Sequence, residues 1–133
     1  MITLNKTNGF ICIDNQEINP YENIVKIKLL LGGRLQSSLY GRNKESVFIF
    51  DDLSSDLSYL LEVNNKRELQ KITIQPKYSS WDDVVEKVES SKFKIKSVLT
   101  YLGLKENNVF SWGKAYCQYD YKNLIPSISI IYL

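Results

Sequence analysis

The chain has 133 residues, 44% hydrophobic and 24% charged, a size and balance that fit one folded domain, 1–133, with its own core and exclude a disordered tract. Seventeen basic residues against fifteen acidic ones leave a formal charge of +2, too little to imply a nucleic-acid or membrane partner by itself. No histidine occurs, which excludes Ser-His-Asp and Cys-His catalysis and any histidine-ligated metal centre.

The chain opens without a basic segment leading into an apolar run, so no signal peptide is expected, and no apolar stretch approaches a membrane span. A cytoplasmic location is the expectation. Thr7-Asn8-Gly9 and Asp14-Asn15-Gln16 read as turns around a short strand, 10–13. The first helix is expected to start at Asn19-Pro20-Tyr21-Glu22, with Asn19 as the cap and Pro20 at the first helical position. Ile24, Val25, Ile27, Leu30 and Leu31 follow at helical spacing, and Gly32-Gly33 stops the run.

The period then becomes two. Leu35, Ser37 and Leu39 alternate with Gln36, Ser38 and Tyr40, and Gly41-Arg42-Asn43-Lys44 turns the chain into an apolar strand, 47–50. Strands 57–63 and 69–75 flank Asn64-Asn65-Lys66-Arg67 as a hairpin, which Pro76 ends because it cannot donate to a ladder. A second helix follows, with Ser80 as cap, Asp83 three residues on, and Gly103 as the stop. Trp81, Val84, Val85, Val88, Ile95, Val98, Leu99 and Leu102 form its apolar stripe. A buried Trp81 on that stripe would make Trp81→Ala cost about 3–5 kcal/mol. Strands 109–121 and 127–132 close the chain around a turn at 122–126.

The pattern predicts an α+β fold in the order ββ-α-ββββ-α-ββ, a mostly antiparallel sheet with two helices packed on one face. Cys12 and Cys117 fall in apolar strand segments and are expected as free thiols, with a disulfide as the alternative. They lack metal-ligand spacing, and neither Gly32-Gly33-Arg34 nor Gly41-Arg42-Asn43-Lys44 has the spacing of a phosphate loop. No metal and no cofactor is expected. Asp51, Asp52 and Asp56 surround the loop after strand 47–50. They read either as turn residues bonding their own backbone or as an acidic patch for a cation or a basic partner. Lys114, Tyr116 and Gln118 share one strand face and would suit base stacking, although tyrosines also commonly cover sheet surfaces.

Trp112-Gly113, Tyr119-Asp120 and Ile128-Ser129-Ile130-Ile131-Tyr132, placed after a helix led by Trp81, resemble small bacterial immunity-type proteins from toxin–immunity settings such as contact-dependent inhibition. The likeness covers roughly the last 80 residues and carries no catalytic motif. It implies a non-enzymatic binding protein that neutralises a cognate toxin domain by occluding its active or substrate-binding surface. The partner-binding residues expected on that reading are Asp51, Asp52, Asp56, Lys66 and Arg67 in exposed loops, with the loop at 105–108 a further source. The alternatives are a single-stranded nucleic-acid module built on Tyr116 and Lys114, and an enzyme using Asp51 or Asp120. A homodimer paired through the last strand is compatible with each.

Overall fold

A computed structural model describes residues 1–38, 46–119 and 124–133. Three short strands open the chain, β1 (Thr3–Leu4), β2 (Ile11–Ile13) and β3 (Gln16–Ile18), and pair as an antiparallel meander. Asp14 and Asn15 turn β2 into β3 with φ of 54° and 62°, the left-handed pair that fits the twist of a two-residue hairpin.

Helix α1 (Ile24–Leu31) begins later than the sequence suggests. Its cap is Asn23, whose Oδ1 accepts from the N–H of Val25 at 2.8 Å, and not Asn19. The reason is tertiary. The N–H groups of Tyr21 and Ile24 donate to the carbonyls of Leu69 and Arg67, and the N–H of Leu69 returns a bond to Glu22. Those bonds hold the segment out of helix until Asn23. Gly32, at φ 67°, ends α1 and leads through a 3₁₀ turn, Gly32–Arg34, into the main sheet.

Among the described residues that sheet has seven strands: β4 (Leu35–Ser37), β5 (Val47–Asp52), β6 (Leu57–Val63), β7 (Leu69–Pro76), β8 (Asn107–Phe110), β9 (Gly113–Tyr119) and β10 (Pro126–Tyr132). They lie in the order β4-β5-β6-β7-β10-β9-β8, and every pairing is antiparallel. Between β7 and β8 come two helices, α2 (Trp81–Glu86) and α3 (Val88–Tyr101). The α+β class and the strand–helix order are those expected, with three refinements, the first being the third strand of the opening meander. The final strand segment is split by a turn at Ser111-Trp112 into β8 and β9, and the long helix is broken at Lys87, where φ is −100° and ψ is 17°. The turn expected at 41–44, along with Leu39, Tyr40, Asp120, Tyr121, Lys122 and Asn123, lies outside the described residues.

The place of the last strand differs from expectation. β10 runs between β7 and β9, so it offers no edge for pairing with a second chain. Ile128, Ser129 and Ile130 are all buried, as suits a strand covered on both sides. Among the described residues the sheet edges are β4 and β8.

Register explains the core. Phe48, Phe50, Leu57, Tyr59, Leu61, Ile72, Ile74, Ile128, Ile130, Ala115 and Tyr132 fall on one face and are buried. Ile24, Ile27 and Leu31 of α1, Ile95, Val98 and Leu99 of α3, and Ile2, Ile11, Ile13 and Ile18 of the meander join them in a single cluster. Gly103, at φ 69°, closes α3 in a Schellman turn, with the N–H of Leu104 donating to the carbonyl of Leu99 and both leucines buried. Both cysteines are free and half-buried, and burial pushes the Cys117 thiol above its ordinary pKa.

The opposite face of the sheet is only partly covered. Ile49, Leu60, Thr73, Ile131 and Tyr116 are half-buried there, while Lys114 and Gln118 are exposed. Lys114 Nζ stands 5.9 Å from the centre of the Tyr116 ring. No helix among the described residues is long and apolar enough to cross a membrane.

Candidate partner-binding surface

The three aspartates meet at one end of the sheet, where β5 turns into β6. Asp52 is an internal anchor. Its residue is 8% exposed, Oδ2 accepts from the Tyr59 hydroxyl at 2.6 Å, and Oδ1 accepts from the Ser54 N–H at 3.0 Å and the Ser54 hydroxyl at 2.7 Å. The Met1 amine lies 3.3 Å from Oδ2, and the Tyr59 oxygen in turn accepts from the N–H of Ile2 at 2.9 Å. Burial alone would raise this carboxyl, but the hydrogen bonds from Tyr59 and Ser54 outweigh it and hold Asp52 well below the ordinary carboxylate range. Burial and the adjacent carboxylate push Tyr59 upward. These bonds use Asp52 for turn chemistry and for fixing the start of the chain.

Asp51 points to the other side of the sheet, as alternation along β5 requires. Its Oδ1 accepts from the Ser58 hydroxyl at 2.6 Å, Lys77 Nζ is 3.9 Å from Oδ2, and Arg34 donates to its carbonyl at 2.8 Å. Asp56 is exposed at φ 56°, and its N–H donates to the carbonyl of Asp52 at 3.2 Å. Lys66 and Arg67 do not join this group. They sit in the β6–β7 turn, organised by Asn64, at the far end of β6, a separation of about 20 Å at ~3.3 Å per residue. Arg67 there faces the Phe48 ring at 5.9 Å.

Two depressions flank the β5–β6 loop. The first, about 520 Å³, opens on the partly covered face and is lined by Ile49, Asp51, Ser58, Leu60, Gln75 and Lys77, with Trp81 and Val84 of α2 as a wall. Trp81 is 57% exposed, contrary to the continuous stripe drawn from the sequence. The break at Lys87 gives α2 its own phase, so Val84 is its buried residue and Trp81, in the first turn, projects past the core. Ser80 does cap α2, accepting from the Asp83 N–H at 3.2 Å, while Asp83 accepts from the Ser79 N–H at 3.0 Å.

The second depression, about 920 Å³, lies between the loop and α3, lined by Met1, Leu53, Asp56, Phe93, Lys94, Val98 and Tyr101 among serines 54, 55, 90 and 97. Leu53, Phe93 and Tyr101 are 76%, 74% and 57% exposed. Residues 93, 97 and 101 recur at i, i+4 on the side of α3 turned away from Ile95 and Leu99, so the outward phase of Phe93 was readable in the sequence. The candidate residues chosen from composition and turns do not include these exposed apolar side chains, Leu53, Trp81, Phe93 and Tyr101. Among the described residues no group of three or more His, Cys, Asp or Glu side chains could hold a metal ion.

No protein-family model matches the chain, and no curated protein matches its sequence. A solved structure does match in fold: a chain in "Rhs1-CT in complex with cognate immunity protein RhsI1" aligns over 99% of this chain and 87% of its own length, with a TM-score of 0.65 at 14% identity. The likeness is one of architecture, and it agrees with the immunity-type resemblance of the C-terminal half.

Proposed function

We propose that this chain is an immunity-type binding protein that neutralises a bacterial toxin in the cytoplasm by covering the toxin's active or substrate-binding surface, without catalysis of its own. One observation carries the reading. A rigid sheet end presents Leu53, Trp81, Phe93 and Tyr101 to solvent around the β5–β6 loop, in a chain without histidine. Exposed aromatic side chains ringed by polar groups suit a protein interface, where a few such anchors supply most of the affinity. The fold likeness to a chain of a toxin–immunity complex supports the same reading. In such an interface Asp51 and Asp56 can serve as charged rim residues, whereas Asp52 acts by holding the loop in shape.

Co-expression with a candidate toxin domain, sought among the genes beside this one, tests the proposal. A co-purifying complex and restored growth of the host are expected. Growth arrest undiminished by this chain, with no complex formed, overturns it. Titration with a labelled single-stranded oligonucleotide separates the alternative, since a nucleic-acid module built on Lys114 and Tyr116 would bind at low salt and release as salt rises.

A further inference from the structure

The outer side of α2 combines an exposed apolar pair with carboxylates that lack counter-ions. Trp81 and Val85, one turn apart, are 57% and 49% exposed. Asp82 and Glu86 repeat at the same spacing on the adjoining stripe, and both are exposed. Neither carboxylate has a hydrogen-bond or ion-pair partner among the described residues. The lysines around them are already taken: Lys77 lies 3.9 Å from Asp51, Lys87 2.9 Å from Asp83 and Lys92 3.6 Å from Glu89. The next lysine along the helix, Lys94, starts about 12 Å beyond Glu86 at ~1.5 Å per residue, outside the ~8 Å reach of an exposed charge in physiological salt. An indole beside two uncompensated carboxylates is therefore left open to solvent. The same indole walls the hollow lined by Ile49, Asp51 and Leu60.

We infer, resting on the function proposed above, that the toxin docks on this side of α2 and that the occupant is a protein segment presenting an arginine. A planar guanidinium stacks on an indole face while its N–H groups donate to carboxylates, a pairing that a lysine ammonium reproduces less well. The apolar stem of the arginine would lie along Trp81 and Val85, with its head toward Asp82 and Glu86. Charge decides against the other occupants. Two copies of this chain related by a two-fold axis here would bring Asp82 and Glu86 of both copies together. An anionic lipid surface and a nucleic-acid strand carry the same sign as these carboxylates and are repelled. Positive charge on the docking segment selects the partner and speeds encounter, while the desolvated Trp81 contact supplies affinity.

The test uses the full chain and a candidate toxin domain sought among the genes beside this one. Trp81→Ala should weaken binding about 30-fold or more. Asp82→Asn with Glu86→Gln should weaken it about tenfold, and association should lose the slowing with salt that the parent chain shows. These side chains are exposed, so thermal midpoints should stay within about 4 °C of the parent. In a Trp112→Phe chain, which keeps Trp81 as its one tryptophan, acrylamide quenching should fall severalfold when the complex forms. Phe93→Ala, in the other depression, should weaken binding less than Trp81→Ala, and the reverse order overturns the inference. Binding that survives Trp81→Ala and the double neutralisation, or an indole still open to acrylamide in the complex, overturns the surface while leaving the function standing. Faster association after neutralisation overturns the cationic occupant. A parent chain that neither binds nor protects overturns both the surface and the function. A parent chain that forms a dimer dissolved by Trp81→Ala reassigns this side of α2 and overturns the inference.

Discussion

Gly9 lies directly beneath the Trp112 ring, so close that a Cβ built on it would stand 2.5 Å from Cδ2 of the indole. Its φ of 78° is a backbone conformation that side-chain-bearing residues rarely adopt. Around this contact the meander is fastened to the main sheet. Trp112 Nε1 donates to the Lys6 carbonyl at 2.8 Å, and the Tyr132 hydroxyl donates to the Gly9 carbonyl at 2.8 Å. Phe110 stacks on Trp112 at 4.8 Å, and Tyr132 tilts against it at 5.6 Å. The Trp-Gly pair and the terminal tyrosine that carry the family resemblance thus have structural work to do.

Replacing Gly9 by alanine forces the ring to move and strains the backbone, and should cost about 2–4 kcal/mol. Trp112→Ala should cost about 3 kcal/mol through lost packing. Tyr132→Phe removes one buried hydrogen bond and should cost about 1 kcal/mol. Urea unfolding midpoints check all three. Gly9→Ala behaving like the parent chain would refute the close packing.

Asp52 should make the fold acid-sensitive. Its pKa is lowered in the folded chain, so its stabilisation is complete above the ordinary carboxylate range, about pH 4, and is lost as pH falls from there toward the folded value. Asp52→Asn should cost about 1.5–3 kcal/mol at neutral pH, as expected for hydrogen bonds to a charged group. It should also flatten the acid limb of a stability–pH curve measured by thermal unfolding, and an unchanged limb would contradict the assignment.

The alkaline limb belongs to tyrosines. Burial pushes Tyr59 and Tyr132 upward, and Tyr119 to about 12. A raised folded pKa gives stability that is full below the unfolded value, about 10, and falls as pH rises past it. Absorbance titration of phenolate formation should therefore show these three ionising late, together with unfolding. Complete early titration near pH 10 in the folded chain would argue against their burial.

The two tryptophans should separate spectroscopically. A Trp112→Phe chain retains only Trp81, and its emission should be red-shifted and readily quenched by acrylamide, since that ring is 57% exposed. Trp81→Ala should cost under about 1 kcal/mol, well below the cost of deleting a core aromatic. A cost near 3 kcal/mol would restore Trp81 to the core.

Local patterns were sufficient for most of the elements. The alternation from Leu57 to Gln75, the Asn64 turn, the Ser80 cap and the Gly103 stop all depend on neighbours within a few residues, and the structure keeps them. The missing histidine likewise bounded the chemistry from the outset. What depended on distant partners could not be read in the same way. The cap moved from Asn19 to Asn23 because residues 67–69 hold that segment by backbone bonds, and β10 entered the sheet centre because β7 and β9 flank it. Asp52 changed from a surface candidate to an internal anchor because Tyr59 and the Met1 amine converge on it. Trp81 became a surface residue because the break at Lys87 gave α2 its own helical phase. Periodicity specifies which side of an element is apolar, but only packing between distant segments decides which apolar side chains are left without cover.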